Sequence, residues 1–286
     1  MTPREQRARL AHETLAIVSS GRYVDDAGND VAIAGAVRAC IDATRLFMPQ
    51  HIAALQPPAA DSSRPATAFA VRNENTLSAL ARLVAAGCRR VGVLNFASAR
   101  HPGGGFERGA QAQEEALARS SALHASLVCE AAAPFYRTAP DEASCVYTDR
   151  VILSPGCPVF RDADGRLLRS PLPATFLTCA APNASALQAN EPERLPLLPG
   201  IFARRAAGVL AVGAHAGCDA LVLGAWGCGV FGNDPDLVAA AFARQLRAGG
   251  AFENRFAHVD FAVLDPAPDR ARLHAFERSF PRESSC

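Results

Sequence analysis

Between Leu94 and Ser120 the chain reads LNFASARHPGGGFERGAQAQEEALARS, and this stretch limits the possible folds more than any other. Val91, Val93 and Leu94 read as a short buried strand that stops at the polar Asn95. The stretch from Gln113 to Glu130 is rich in Ala, Leu, Glu and Arg and predicts a helix of about five turns. Gly103, Gly104 and Gly105 lie between them. Three residues without Cβ weaken any regular element, so they point to unusual φ/ψ angles or to close approach of backbone to a ligand. Backbone amides of such a loop, next to a helix N-terminus, favour an anion, most commonly a phosphate or pyrophosphate. A plain surface turn is the other reading of three glycines; the paired carboxylate that follows weighs against it.

Glu114 and Glu115 fall in the first turn of the predicted helix, where acidic residues also serve as ordinary dipole partners. Successive helical side chains point about 100° apart, so the two cannot share one role. A carboxyl beside a phosphate-cradling loop suggests acid chemistry on a group attached to a nucleotide. A glycosidic bond is the natural target, because its leaving oxygen needs a proton.

Composition frames this reading. The 286 residues, 49% hydrophobic and 20% charged, suffice for a large core domain with an appendage. Net charge is +1, every basic side chain is arginine, and the arginines are scattered, so no nucleic-acid surface and no direct DNA binding is expected. Nine cysteines form an odd, dispersed set without a CxxC pair, which fits buried thiols in a reducing compartment better than disulfides or zinc. Arg4, Glu5, Arg7 and Arg9 replace the apolar run of a signal peptide, and no membrane-spanning stretch is evident, so a cytoplasmic location is expected.

Thr2-Pro3-Arg4-Glu5 is a compact helix start, with the helix ending near Gly21. A second helix is predicted over Ile33 to Phe47, followed by QPPAADSSRPAT as a connector. Residues 1–60 are therefore expected to form an N-terminal helical extension without a chemical motif, and 61–286 the catalytic α/β domain. From Thr67 strands alternate with helices, which favours a layered structure with a largely parallel sheet. Ala220 to Leu223 is a further buried strand that runs into GAWGCGVFGND before a helix near Pro235, so the order strand, glycine loop, helix occurs again. In a parallel sheet both loops face one crevice at the strand C-terminal ends. Gly227, Gly229 and Gly232 satisfy GxGxxG, but no acid follows at the dinucleotide-binding distance, and no GK[ST] marks a nucleotide hydrolase. Cys228 has no histidine paired with it as a nucleophile's base, His215 and Cys218 lack partners for a metal, and His101 reads as a surface residue. Trp226 reads as packing and Phe231 as a ligand contact.

LNFASARHPGGGFERGAQAQEE, with LARSSAL, VILSPGCPVFRD and LVLGAWGCGVFGND, closely resembles the microbial-type poly(ADP-ribose) glycohydrolases. The resemblance runs from about Thr67 to Asp265. It implies a macro-domain-like mixed sheet flanked by helices, with ADP-ribose in a crevice at the strand ends. By the same resemblance Gly103, Gly104 and Gly105 lie against the distal ribose and diphosphate, Gln113 joins the binding surface, Glu114 holds ribose hydroxyls and Glu115 is the catalytic acid. Gly227, Cys228, Gly229, Val230 and Phe231 wrap the diphosphate and shape the ribose pocket. Ser98 occupies a ribose-proximal place where many macro domains carry asparagine, and His124 one where relatives often carry tyrosine. Asn73 and Glu74, at the end of the first strand of the α/β part, are candidate adenine neighbours, although a plain turn fits them better. The implied activity is release of ADP-ribose from poly(ADP-ribose) and ADP-ribosylated proteins, without metal or cofactor. A non-catalytic ADP-ribose reader and an O-acyl-ADP-ribose deacylase are the alternatives.

Overall fold

The computed structural model describes residues 1–55, 65–137 and 144–281. Helix α1 (Pro3–Ser20) begins as expected: Thr2 Oγ1 accepts from the Glu5 N–H at 3.3 Å and Glu5 Oε2 accepts from the Thr2 N–H at 2.7 Å. Gly21, left-handed at φ 71°, ends it. A small antiparallel hairpin follows, β1 (Arg22–Val24) and β2 (Asp30–Ala32), turned around the Asp25 carboxylate, which accepts from the Ala27 and Asn29 N–H groups. The second predicted helix is shorter than expected. α2 (Ala34–Ala43) stops where Thr44 turns extended and gives its hydroxyl to the Cys40 carbonyl, and the chain continues as strand β3 (Arg45–Phe47) and helix α3 (Pro49–Ala53).

The remaining elements alternate. They are β4 (Ala68–Arg72), α4 (Thr76–Ala85), β5 (Val91–Phe96), α5 (Gln113–Ser120), α6 (Leu123–Leu127), β6 (Val151–Arg161), β7 (Leu167–Cys179), α7 (Ala184–Asn190), α8 (Leu198–His215), β8 (Ala220–Leu223), α9 (Pro235–Leu246), β9 (His258–Ala262) and α10 (Ala271–Ser279). Seven strands form one mixed sheet in the order β3-β6-β7-β5-β8-β9-β4, antiparallel from β3 to β7 and parallel from β7 to β4. Its central strands are apolar on both faces and follow the two-residue period: Ala220 and Val222 join the layer with α2 and α4, while Leu221 and Leu223 join the layer with α8 and α9.

Three expectations are corrected here. The five-turn helix from Gln113 to Glu130 is broken at Ser121, which is extended (φ −149°) and bridges Val159, while the Ala122 N–H goes to the Pro158 carbonyl; bonding to the sheet outcompetes helix continuation. Most of the connector, and the expected boundary at residue 60, lie outside the described residues. The segment before it is no helical appendage, since β3 is the edge strand of the main sheet and α1 packs on α5, with Thr14 Oγ1 donating to the Arg119 carbonyl. The turn-and-helix segment Pro192–His215 is long and apolar enough to cross a membrane, contrary to the sequence reading; half of it is buried inside the protein, as a core helix is.

Candidate active site

β5 delivers its last residues beside the start of α5, and Gln113 pins the two together. Its Oε1 accepts from the Phe96 N–H at 2.9 Å, and its Nε2 donates to the Leu94 carbonyl at 2.7 Å and to Thr76 Oγ1 at 3.2 Å. Gln113 thus positions β5 against α5 through its carboxamide, and it also borders the large cavity on which the second glycine loop opens. No side chain caps α5, so the first-turn amides retain their pull on the carboxylates next to them.

Glu114 is 3% exposed. Its Oε1 accepts from Asn95 Nδ2 at 3.2 Å and its Oε2 from the Ser98 N–H at 2.7 Å. Burial raises its pKa to about 8 despite these bonds, with the Glu115 charge adding to the rise. Tyr136, whose buried hydroxyl has no partner, lies close enough to feel the Glu114 charge. Glu115 is built differently. Its Oε1 accepts from the Gly105 N–H at 3.1 Å, and its Oε2 is buried without a partner.

The three glycines have three separate reasons. A Cβ on Gly104 (φ 61°) would overlap the Glu115 carboxylate and stand 3.3 Å from Glu114 Oε2. On Gly103 (φ 69°) it would press on Phe106 at 3.1 Å and His124 at 3.3 Å, and on Gly105 it would meet the Ala110 Cβ at 3.0 Å. Close approach at Gly104 is therefore required by the protein's own acid pair, and at Gly103 and Gly105 by Phe106, His124 and Ala110, where the sequence suggested a ligand. His124 stacks on Phe106 with ring centroids 4.8 Å apart, and burial lowers its pKa. Ser98 supplies its N–H to Glu114 while its hydroxyl accepts from the Arg100 and His101 N–H groups, which closes the turn.

The second loop leaves β8 next to β5, as expected. Trp226 is fully buried, donates Nε1 to the Cys179 carbonyl at 3.1 Å and packs edge-on against Phe202. A Cβ on Gly227 (φ 75°) would lie 2.5 Å from Asn233 Nδ2, which holds the Gly227 and Pro182 carbonyls. Burial pushes the Cys228 thiol up to about 12, which disfavours the thiolate that a nucleophile needs. Val230 stands 88% exposed at the tip. Phe231 is half-buried, with its ring centroid 6.1 Å from Tyr147. Tyr147 sits at φ 60°, a strained setting, and its carbonyl accepts from Arg205 Nη2 at 3.0 Å. Arg205, 1% exposed inside the apolar α8, also pairs with Asp149 at 2.6 Å and with the Ala180 carbonyl at 2.9 Å.

The second loop opens on a cavity of about 690 Å³, lined by Gly227, Gly229, Val230 and Phe231 and, from the end of β5 and the start of α5, by Phe96 and Gln113 among others; Gly103, Gly104, Gly105, Glu114 and Glu115 are not part of this lining. Glu74 borders it too, held in an ion pair to Arg82, whereas Asn73 spends its amide on the Asp265 backbone. A smaller cavity of about 300 Å³ near Cys218 and Asp219 lies at the N-terminal ends of the strands, away from the acid pair. Among the described residues no three His, Cys, Asp or Glu side chains gather as a metal site. Asn95 entered the sequence reading only as a strand end, and Tyr136, Tyr147 and Arg205 escaped it. Only two left a signal: a polar residue closing an apolar strand, and an arginine inside an apolar helix.

Amide-rich loops at adjoining parallel strand ends, with a carboxyl pair at the head of the helix that follows the first of them, define an α/β protein equipped for acid chemistry on a nucleotide-linked group. Residues 11–162 match the family model for the catalytic domain of microbial-type PARG. The crystal structure of poly(ADP-ribose) glycohydrolase from Thermomonospora curvata is 47% identical, with a TM-score of 0.91 over 96% of this chain and 100% of that one. The same enzyme bound to the inhibitor ADP-HPD is 47% identical, with a TM-score of 0.89 over the same shares. Poly(ADP-ribose) glycohydrolase from Deinococcus radiodurans in complex with ADP-ribose is 43% identical, with a TM-score of 0.81 over 88% of this chain and 99% of that one. Among curated proteins none matches the chain. The chain belongs to the microbial-type poly(ADP-ribose) glycohydrolases. The family match starts at residue 11, so the likeness reaches into the first sixty residues, where the sequence suggested least.

Proposed function

We propose that this chain hydrolyses the ribose–ribose O-glycosidic bond of poly(ADP-ribose), free or on modified proteins, and releases ADP-ribose from a macro-domain-type crevice. The observation that carries the reading is the division of labour within one carboxylate: Glu115 Oε1 is held by the Gly105 N–H, while Oε2 is buried and unpartnered, ready for the scissile oxygen. The ADP-ribose complex of the Deinococcus radiodurans relative supports ADP-ribose as the ligand.

In this mechanism the C1–O bond of the bound ribose breaks as Glu115 gives its proton to the departing ribose oxygen. A water then closes on C1 and returns its proton to the Glu115 carboxylate. The oxocarbenium-like sugar between these events is stabilised by the adjacent diphosphate, which the glycine-loop amides hold in place. Glu114 holds ribose hydroxyls, and with its pKa near 8 it carries a proton at neutral pH and can donate to them. Incubation with poly(ADP-ribose) while following free ADP-ribose tests the reading. Release supports it, and binding without release identifies a reader instead.

A further inference from the structure

The large cavity extends beyond the second glycine loop. It continues along α5 into a lobe walled by α1 and by the turn between β6 and β7, and Arg7, Arg119 and Arg161 line this lobe. Arg119 follows Glu115 by four residues, one helical turn or about 5.4 Å along the same face of α5. Its Nη1 donates to the Ala110 carbonyl at 2.7 Å, and Arg7 Nε donates to the Gly109 carbonyl at 2.9 Å. Among the described residues neither guanidinium is in an ion pair. Arg161 is 3% exposed. Its Nη1 reaches the Gly165 carbonyl at 3.0 Å and its Nη2 stands 3.1 Å from Glu13 Oε2 without hydrogen-bond geometry. Its Nε is buried with no partner.

Acids also border the lobe, and Glu13 pairs with Arg161, but among the described residues none pairs with Arg7 or Arg119. Asp162 Oδ1 accepts from the Asp164 and Arg166 N–H groups, and Asp164 faces Arg166. Glu13 serves Arg161 alone, and Glu115 is held by the glycine loop. Burial lowers the Arg119 pKa, Glu115 opposes that, and the like charge of Arg7 adds to it, so positive charge is crowded at this point. Planar guanidinium groups with free N–H donors match phosphate oxygens.

Resting on the activity proposed above, we infer that this lobe is a phosphate subsite for the diphosphate of the ADP-ribose unit on the leaving side of the scissile bond. The leaving ribose oxygen is at Glu115, and the phosphates of that same unit fall one helical turn further on, against Arg119, with Arg7 and Arg161 flanking them. The enzyme thereby grips two successive units of the polymer, the terminal one by amides and the next by arginines.

Two measurements test this together. Inorganic pyrophosphate is titrated by calorimetry into wild-type protein already saturated with ADP-ribose, which leaves only the lobe open. Separately, kcat/KM is measured on poly(ADP-ribose) and on a nitrophenyl ADP-ribose, whose leaving group has no phosphate, for wild type, Arg119→Met and Arg161→Met. Pyrophosphate should bind the ADP-ribose-saturated protein, and the polymer-to-nitrophenyl ratio should drop roughly tenfold in each variant, the size of one charge-assisted bond. General damage to the fold lowers both substrates alike and leaves the ratio unchanged. An unchanged ratio, or no pyrophosphate binding to the saturated wild type, overturns the subsite. The activity itself fails only if wild type releases no ADP-ribose from polymer.

Discussion

At Glu114 the cost of burying a carboxyl becomes measurable. In an unfolded chain this group titrates near 4.5, and in the folded protein at about 8, so the native state keeps a proton that the unfolded state has lost. A raised folded value contributes stability that is complete below about 4.5 and is lost as pH rises through about 8. Each pH unit separating the folded and unfolded values is worth about 1.36 kcal/mol, so the loss is on the order of a few kcal/mol. Thermal melts of wild type and Glu114→Gln between pH 5 and 9 should therefore converge at the acid end and separate at the alkaline end, with wild type losing ground. Parallel curves would place the Glu114 carboxyl in a wetter setting. Phe231 offers a kinetic counterpart. Its ring rests on Tyr147, itself held at φ 60° over the buried Arg205, so Phe231→Ala should misalign the reacting ribose and lower kcat more than it weakens ADP-ribose binding. An unchanged kcat would return Phe231 to a packing role.

Among elements, the strand–glycine–helix unit from β5 to α5 was legible because its signals are local. An apolar run, three residues without Cβ and an Ala- and Glu-rich segment each specify their own backbone. What Gly104 serves was not legible, since the groups it makes room for, Glu114 and Glu115, lie a full loop away along the chain. Gly104→Ala should displace the Glu115 carboxylate and force an L-residue to φ 61°. Turnover should fall by more than about tenfold and stability by about 1–3 kcal/mol. Gly35→Ala in α2, with nothing within 4 Å of the added methyl, should instead hold or raise the melting temperature. Equal effects of the two substitutions would contradict the steric account. The break at Ser121 was illegible for a related reason: the sequence from Gln113 to Glu130 favours a helix throughout, and only a β6 neighbour distant in sequence overrules it.

Across the whole molecule, the alternation of strands and helices pointed to a layered α/β fold, and the mixed sheet agrees with it. Strand order and the place of the first sixty residues depend on pairings between segments far apart in sequence. β3 is three residues long and follows a helix directly, so nothing in RLF announces an edge strand. Because β3 is hydrogen-bonded to β6 and α1 is bonded to the glycine loop through Arg4 and Arg7, the chain should unfold by calorimetry in a single transition. Two resolved transitions would restore the separate extension that the sequence suggested. The segment Pro192–His215 reads like a spanning helix in isolation, and the core that α8 joins with the sheet and α9 is visible only in three dimensions.

The central claim is that Glu115 delivers the proton, and Glu115→Gln tests it most directly, because the amide keeps size and hydrogen-bonding capacity while removing the titrating group. Initial rates on poly(ADP-ribose) are measured beside calorimetric ADP-ribose affinity for wild type, Glu115→Gln and Glu114→Gln, with folding checked by circular dichroism. Glu115→Gln should bind ADP-ribose near the wild-type level while turnover falls by a factor of roughly a hundred or more, as for other general acids. Glu114→Gln should keep part of its turnover and lose affinity. Near-normal turnover in Glu115→Gln would contradict the account.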